Sequence, residues 1–427
     1  MTRLALAAAP AVAVPRRFLE TAPIWGAVAG LLLLRAGPAA LLSRWHPATL
    51  AATHAFTLGV FGNLLFGSLL QFLPAAAGVR VRGGARAAMM LHAVLNLGTL
   101  LLVVALLGPL RALFAPATVF LLAAFALFAA MTLPGLVAAR GQRLLRGGLG
   151  LAIAGALATA TCGAIVARAL AGSAVSPWPL PALVDVHAAC GLLGWVLLSL
   201  VVVGRVVVPM FQGTAAVPGS VLAAWLGGVA IGLPFAAATR LAHADDAALR
   251  MLVAGAAAAF AIGVAWLQAR APHARNAPLR AFWRAGAIVL AAAALALALG
   301  KGLLAGILAI AVALPMLICG MQLEIAAFLA WIDLHRRCGR GTRLPAVQRL
   351  LPDADRWRVF AALLVVALLL PAALLWPSAP LVLASGVAIV VSRALLLWTL
   401  RGVRRRAARF LADTQAPGAP PRAGDRT

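Results

Sequence analysis

Long apolar runs dominate this chain, and each lasts about twenty residues, the length of helix that crosses a bilayer. Twelve such spans can be marked, at roughly 22–42, 49–74, 87–108, 113–138, 148–171, 181–210, 218–240, 246–268, 281–300, 302–333, 357–376 and 379–400. The pattern predicts an all-α polytopic membrane protein of about twelve transmembrane helices, one domain over residues 1–412. A Pro-, Gly- and Ala-rich tail follows at 413–427 and is expected to be a disordered cytoplasmic extension.

Composition excludes the soluble alternatives. The chain is 64% hydrophobic and 11% charged, with a mean hydropathy of +1.02. Its formal charge of +26 suggests nucleic acid at first sight. The arginines, however, stand in the short loops after even-numbered spans, as in Arg80, Arg82 and Arg86, or Arg140, Arg143 and Arg146. That distribution orients a membrane protein and calls for no nucleic acid partner. It predicts a bacterial inner-membrane protein with both termini in the cytoplasm, which requires an even number of spans. The long basic loop 334–356 is read as a determinant of this topology, with anionic lipid as an alternative contact. Six tryptophans near span ends, Trp25, Trp45, Trp178, Trp283, Trp357 and Trp376, predict an interfacial belt. The four cysteines lie in different segments without a C-x-x-C pair, so no zinc or dithiol site is expected.

Candidate chemistry rests on the few ionisable groups inside spans, where each is costly. His54 in span 2 and His187 in span 6 lie at matched depth, about two turns from the outer side. Gly191 and Gly194 share a helical face with His187, leaving room for something flat against the imidazole. Gly59, Asn63 and Gly67 form a separate stripe on span 2 that suits close helix packing. A neutral buried imidazole can ligate haem iron or copper, or it can simply bond to a neighbouring helix. His92, Asn96 and Thr99 share a face of span 3; an interhelical clamp is favoured there over a proton path. Glu324 and Arg393 are expected to form an ion pair toward the inner side. Asp185, near the outer interface, is read as hydrated.

The stretch from His54 to Pro74, HAFTLGVFGNLLFGSLLQFLP, resembles the second helix of haem–copper oxidase subunit I. His187 through Pro209 resembles the sixth helix of the cbb3-type branch of that superfamily, and the NnrS-type proteins of nitric oxide stress are a related comparison. The resemblance implies three four-helix arcs in which spans 2, 6 and 10 correspond. It also implies cofactor and metal binding by His54 and His187, with haem, copper or both. The departures are specific. Span 7 has no histidine pair, span 10 offers Met316, Met321, Gln322 and Glu324 where His-x-His belongs, and the chain has no tyrosine. Oxygen reduction at a haem–copper pair is therefore not expected.

The leading expectation is an integral haem- or copper-binding protein of respiration or nitric oxide response, served by a respiratory partner subunit or electron donor. The alternatives are a twelve-span transporter using His54, His187, Glu324 and Arg393, and a cofactor-free structural subunit.

Overall fold

The computed structural model describes residues 10–243, 245–338 and 341–415. Twelve helices are long and apolar enough to cross a membrane. They are α1 Ala13–Leu41, α2 Pro47–Ala76, α3 Gly84–Leu107, α4 Arg111–Ala138, α5 Arg143–Leu170 and α6 Leu180–Gln212. The second half contributes α7 Gly219–Ala242, α8 Ala247–Ala269, α9 Ala277–Ala298, α10 Gly302–Arg337, α11 Asp353–Leu375 and α12 Ala379–Thr414. No strand occurs among the described residues. The chain is a polytopic helical membrane protein, as its apolar runs require, because only a helix pairs every backbone group within its own segment.

Two boundaries depart furthest from those the hydropathy predicts. α1 begins nine residues before the apolar run, through Arg16, Arg17 and Glu20, and α12 continues well past residue 400. Both extensions are amphipathic and lie beyond the apolar core of their spans, where charge is no obstacle to helix. Val403 and Ala407 turn inward, while Arg404 reaches Glu20 of α1 at 3.5 Å. Helix therefore runs into the expected tail as far as Gln415; residues 416–427 lie outside the described residues.

Each helix packs on its successor and α12 closes on α1, so the chain forms a ring. α2, α6 and α10 are the most buried of the twelve. They share a second property. Each carries a wide π-helical stretch: Ala55–Gly62 in α2, Cys190–Leu197 in α6 and Ile307–Ala313 in α10. Every fourth helix thus repeats one irregularity.

Lipid offers no hydrophobic force between helices, so close approach has to come from small residues. A Cβ on Gly59 would overlap the Trp25 side chain, and one on Gly67 would press on Phe18; the stripe read from the sequence is where α1 lies. Gly30 and Gly386 bring α1 and α12 together in the same manner. Trp25 and Trp283 are buried and so leave the belt, whereas Trp45, Trp178, Trp357 and Trp376 are exposed as expected.

The Gly59→Ala variant is predicted to lose about 1–3 kcal/mol through overpacking against Trp25. Gly227→Ala, whose added methyl meets nothing within 4 Å, is predicted to unfold at or slightly above the parent temperature. Thermal unfolding of both in one detergent checks the pair.

Candidate functional site

The histidines of α2 and α6 face one another. Their ring centroids are 6.2 Å apart and the ring planes are 25° from parallel. His54 holds its Nδ1 2.8 Å from the carbonyl oxygen of Leu50, one turn earlier in α2. The Nδ1 of His187 reaches across to α5 and lies 2.9 Å from the Thr159 carbonyl oxygen. A carbonyl oxygen only accepts, so in both neutral rings the proton sits on Nδ1. Each Nε2 is left as a bare lone pair with no hydrogen-bond partner among the described residues. Backbone carbonyls that fix the tautomer in this way are the usual support of a metal-ligating imidazole.

Local sequence explains both positions. The π-helical stretch of α2 starts immediately after His54, and that of α6 starts at Cys190, three residues past His187. Wide turns of this kind often accompany functional positions, because they re-aim the side chains beside them. His187 also needs Gly163 of α5, where an added methyl would stand 2.9 Å from its Cε1.

The face of α6 expected to lie open is filled. Gly194 backs onto the backbone of Gly155 and Gly191 faces Thr159, so α5 occupies the space a flat ligand would need. The glycines serve helix packing. They also bring α5 near enough for its Thr159 carbonyl to hold His187.

Asp185, two residues before His187, is bridged and not merely hydrated. Arg44 from the α1–α2 connection lies 2.7 Å from one carboxylate oxygen, and Arg240 of α7 lies 3.0 Å from the other. Beside the histidines an apolar cavity of about 390 Å³ reaches the loops at this arginine-poor end. Its wall includes Thr53 and Phe56 of α2 and Ala188 and Leu192 of α6, but neither histidine.

The other candidates fall into two further groups. His92 and Asn96 join a polar clamp between α1, α2 and α3. Asn96 and Asn63 exchange amide hydrogen bonds at 3.0 and 3.1 Å, and Trp25 Nε1 donates to Asn96 Oδ1 at 2.7 Å. Thr21 gives its only hydroxyl proton to the Arg17 carbonyl, so it accepts from His92 Nε2–H, 2.9 Å away. Every member is occupied, as the structural reading of these residues requires.

Glu324 and Arg393 do not pair. The carboxylate of Glu324 takes both Nε (2.7 Å) and Nη2 (3.2 Å) of Arg356, at the start of α11. Arg393 instead donates through Nη1 to the Sγ of Cys319, 3.1 Å away, and its guanidinium carbon lies 5.6 Å from the Phe56 ring centroid. Hydropathy gives depth but no direction around the helix axis, so it does not show that Glu324 faces Arg356 and not Arg393. Arg356 was the better choice on depth too, since it opens α11 at the arginine-rich end, as Glu324 approaches that end in α10.

Among the described residues no group of three or more His, Cys, Asp or Glu side chains is arranged to hold a metal ion. His54 and His187 bring two imidazoles with unpartnered Nε2 atoms together between α2 and α6. No protein-family model matches this sequence, and a comparison with curated proteins finds no match.

A double-mutant cycle on Glu324 and Arg356 is predicted to give a coupling of about 1–3 kcal/mol, and the same cycle on Glu324 and Arg393 a value near zero. Glu324→Ala alone is expected to cost about 3–5 kcal/mol by leaving Arg356 buried without its carboxylate. Unfolding midpoints of the single and double variants measure both.

Proposed function

We propose that this chain is an integral membrane metal-binding protein in which His54 and His187 jointly hold one copper ion. The observation that carries this reading is the pair of unprotonated Nε2 atoms on rings 6.2 Å apart, each ring fixed from behind by a carbonyl. One metal bonded to both Nε2 atoms at about 2 Å each needs those atoms within about 4 Å of one another, which rings with centroids 6.2 Å apart reach when their Nε2 edges turn toward each other. Two facing imidazoles make a low-coordinate site of the kind copper(I) accepts, whereas zinc asks for four ligands.

A haem fits this chain less well. The macrocycle needs a slot beside the imidazoles, and α5 fills the face on which the sequence offered one. Bound copper would supply a one-electron redox centre within the membrane. The chain's own contribution is to orient the two imidazoles, keep their protons on Nδ1 and bury the site among apolar helices.

The wider setting follows from the resemblance of α2 and α6 to haem–copper oxidase helices. It favours respiration or nitric oxide response, with electrons exchanged through a partner subunit. The arginine-rich loops favour a bacterial inner membrane with both termini in the cytoplasm. The missing histidines of α7 and α10 argue against a terminal oxidase. Transport draws support from the cavity alone, and the recurrence at every fourth helix suits two similar halves poorly.

Protein purified from copper-replete cells is expected to carry about one copper per chain and no Soret band. His54→Ala and His187→Ala should each abolish the copper while the protein still accumulates in the membrane. Gly163→Ala should weaken binding by displacing the His187 ring. Metal analysis with oxidised and dithionite-reduced spectra decides the matter. A Soret band lost in both histidine variants would replace copper by haem, and a metal-free, colourless protein would discard both.

A further inference from the structure

Arg393 is an anomaly in the centre of the bundle. It is 1% exposed, and among the described residues no carboxylate pairs with it. A guanidinium stays charged in any protein environment, so burial cannot neutralise it. Its Nη1 reaches the sulfur of Cys319, while Nε and Nη2 have no hydrogen-bond partner. An unpaired charge at this depth is among the costliest groups a membrane protein can hold, and such residues mark ligand sites by default.

The chain itself shows what the free edge accepts. Arg356 presents Nε and Nη2 to the carboxylate of Glu324, and Arg240 presents the same two atoms to Asp185. In Arg393 that edge is the one left over. A planar pair of oxygens is its natural complement.

The surroundings define the rest of the ligand. Gly26 makes room for the arginine, since a methyl there would lie 2.7 Å from its Cδ. One turn farther along α1 comes Ala29, and one turn back along α12 comes Ile389; both line the 390 Å³ cavity. Phe56 stands between the two places: it forms cavity wall and packs on the guanidinium, and Arg393 lies behind it, covered and outside the cavity lining. The cavity is lined mainly by alanine, leucine and other apolar side chains and reaches the arginine-poor end of the bundle. Its size is within the range of small-ligand pockets.

We propose that this cavity binds an amphipathic carboxylate, with the carboxylate on the Nε–Nη2 edge of Arg393 and the apolar chain lying in the cavity. The Phe56 ring swings aside to admit the headgroup. The site is separate from the histidine pair and does not depend on the metal reading.

The test uses the full-length protein in detergent with tritiated oleate as probe, and oleyl alcohol and acetate as competitors. Saturable binding of about one oleate per chain is expected. Oleyl alcohol should compete at least tenfold more weakly because it lacks the anion, and acetate should fail because it lacks the chain. Arg393→Leu should weaken oleate about 10- to 100-fold, the range for charged hydrogen bonds. If Arg393→Leu does not accumulate, Ala29→Phe blocks the cavity while keeping the arginine, and it should abolish binding. Absence of saturable oleate binding overturns the proposal, as does equal competition by the alcohol. It is also overturned if a folded Arg393→Leu protein binds oleate with unchanged affinity, or if binding survives Ala29→Phe. Cys319→Ser adds an independent readout: oleate affinity unchanged or raised supports the carboxylate on the free edge, whereas a loss as large as that of Arg393→Leu overturns it.

Discussion

Inside a bilayer a polar group without a partner has no water to fall back on, and this constraint organises the whole chain. It explains why the polar residues within the spans come in closed sets. Asn63, Asn96 and Trp25 satisfy one another between α1, α2 and α3, and Glu324 takes the fork of Arg356. Asp185 ties α6 to the α1–α2 connection and to α7. In lipid these sets, with the glycine contacts, do what a hydrophobic core does in water. Several neutral groups, Trp195 and Trp283 among them, lack a partner, as does the Nε of Arg250 and of Arg280, whose guanidinium groups bond through other nitrogens. A neutral orphan costs far less than a buried charge. The exceptions that matter are the two Nε2 lone pairs, which suit a metal, and the free edge of Arg393.

The π-helical stretches connect architecture to these exceptions. They recur in α2, α6 and α10, the three most buried helices, so the recurrence belongs to the centre of the bundle. Only two of the three have a histidine beside the wide turn. In α10 the residue before it is Gly306, and the stretch itself carries no histidine. The central helices therefore share a backbone device but not its side chains, which leaves the histidines as a facing pair and not a triad.

Much of the fold was legible because hydropathy reports helix length directly: all twelve spans and most of their ends follow from it. The ends of α1 and α12 were not, because charged residues look like a stop signal even where a helix continues past the membrane with Val403 and Ala407 turned inward. The matched depth of His54 and His187 was legible, but not that they face each other, since helical spacing fixes a residue's face without saying which neighbour lies opposite. The same gap paired Glu324 with Arg393 and gave Gly191 and Gly194 to a ligand, although α5 was the occupant. No hydropathy pattern marks a π turn, which is a choice of backbone hydrogen bond by residues as ordinary as Ala55 and Cys190.

Successive residues on a helix turn by about 100°, and α2 uses this to serve two environments at one depth. His54 looks toward His187 of α6, while Thr53 and Phe56 look into the apolar cavity. The same division holds on α6, where Ala188 and Leu192 face the cavity and His187 leans on Gly163. A charge placed in the cavity would lie close to the histidines yet outside their hydrogen bonds. The cavity and the histidine pair thus share two helices without sharing a lining residue.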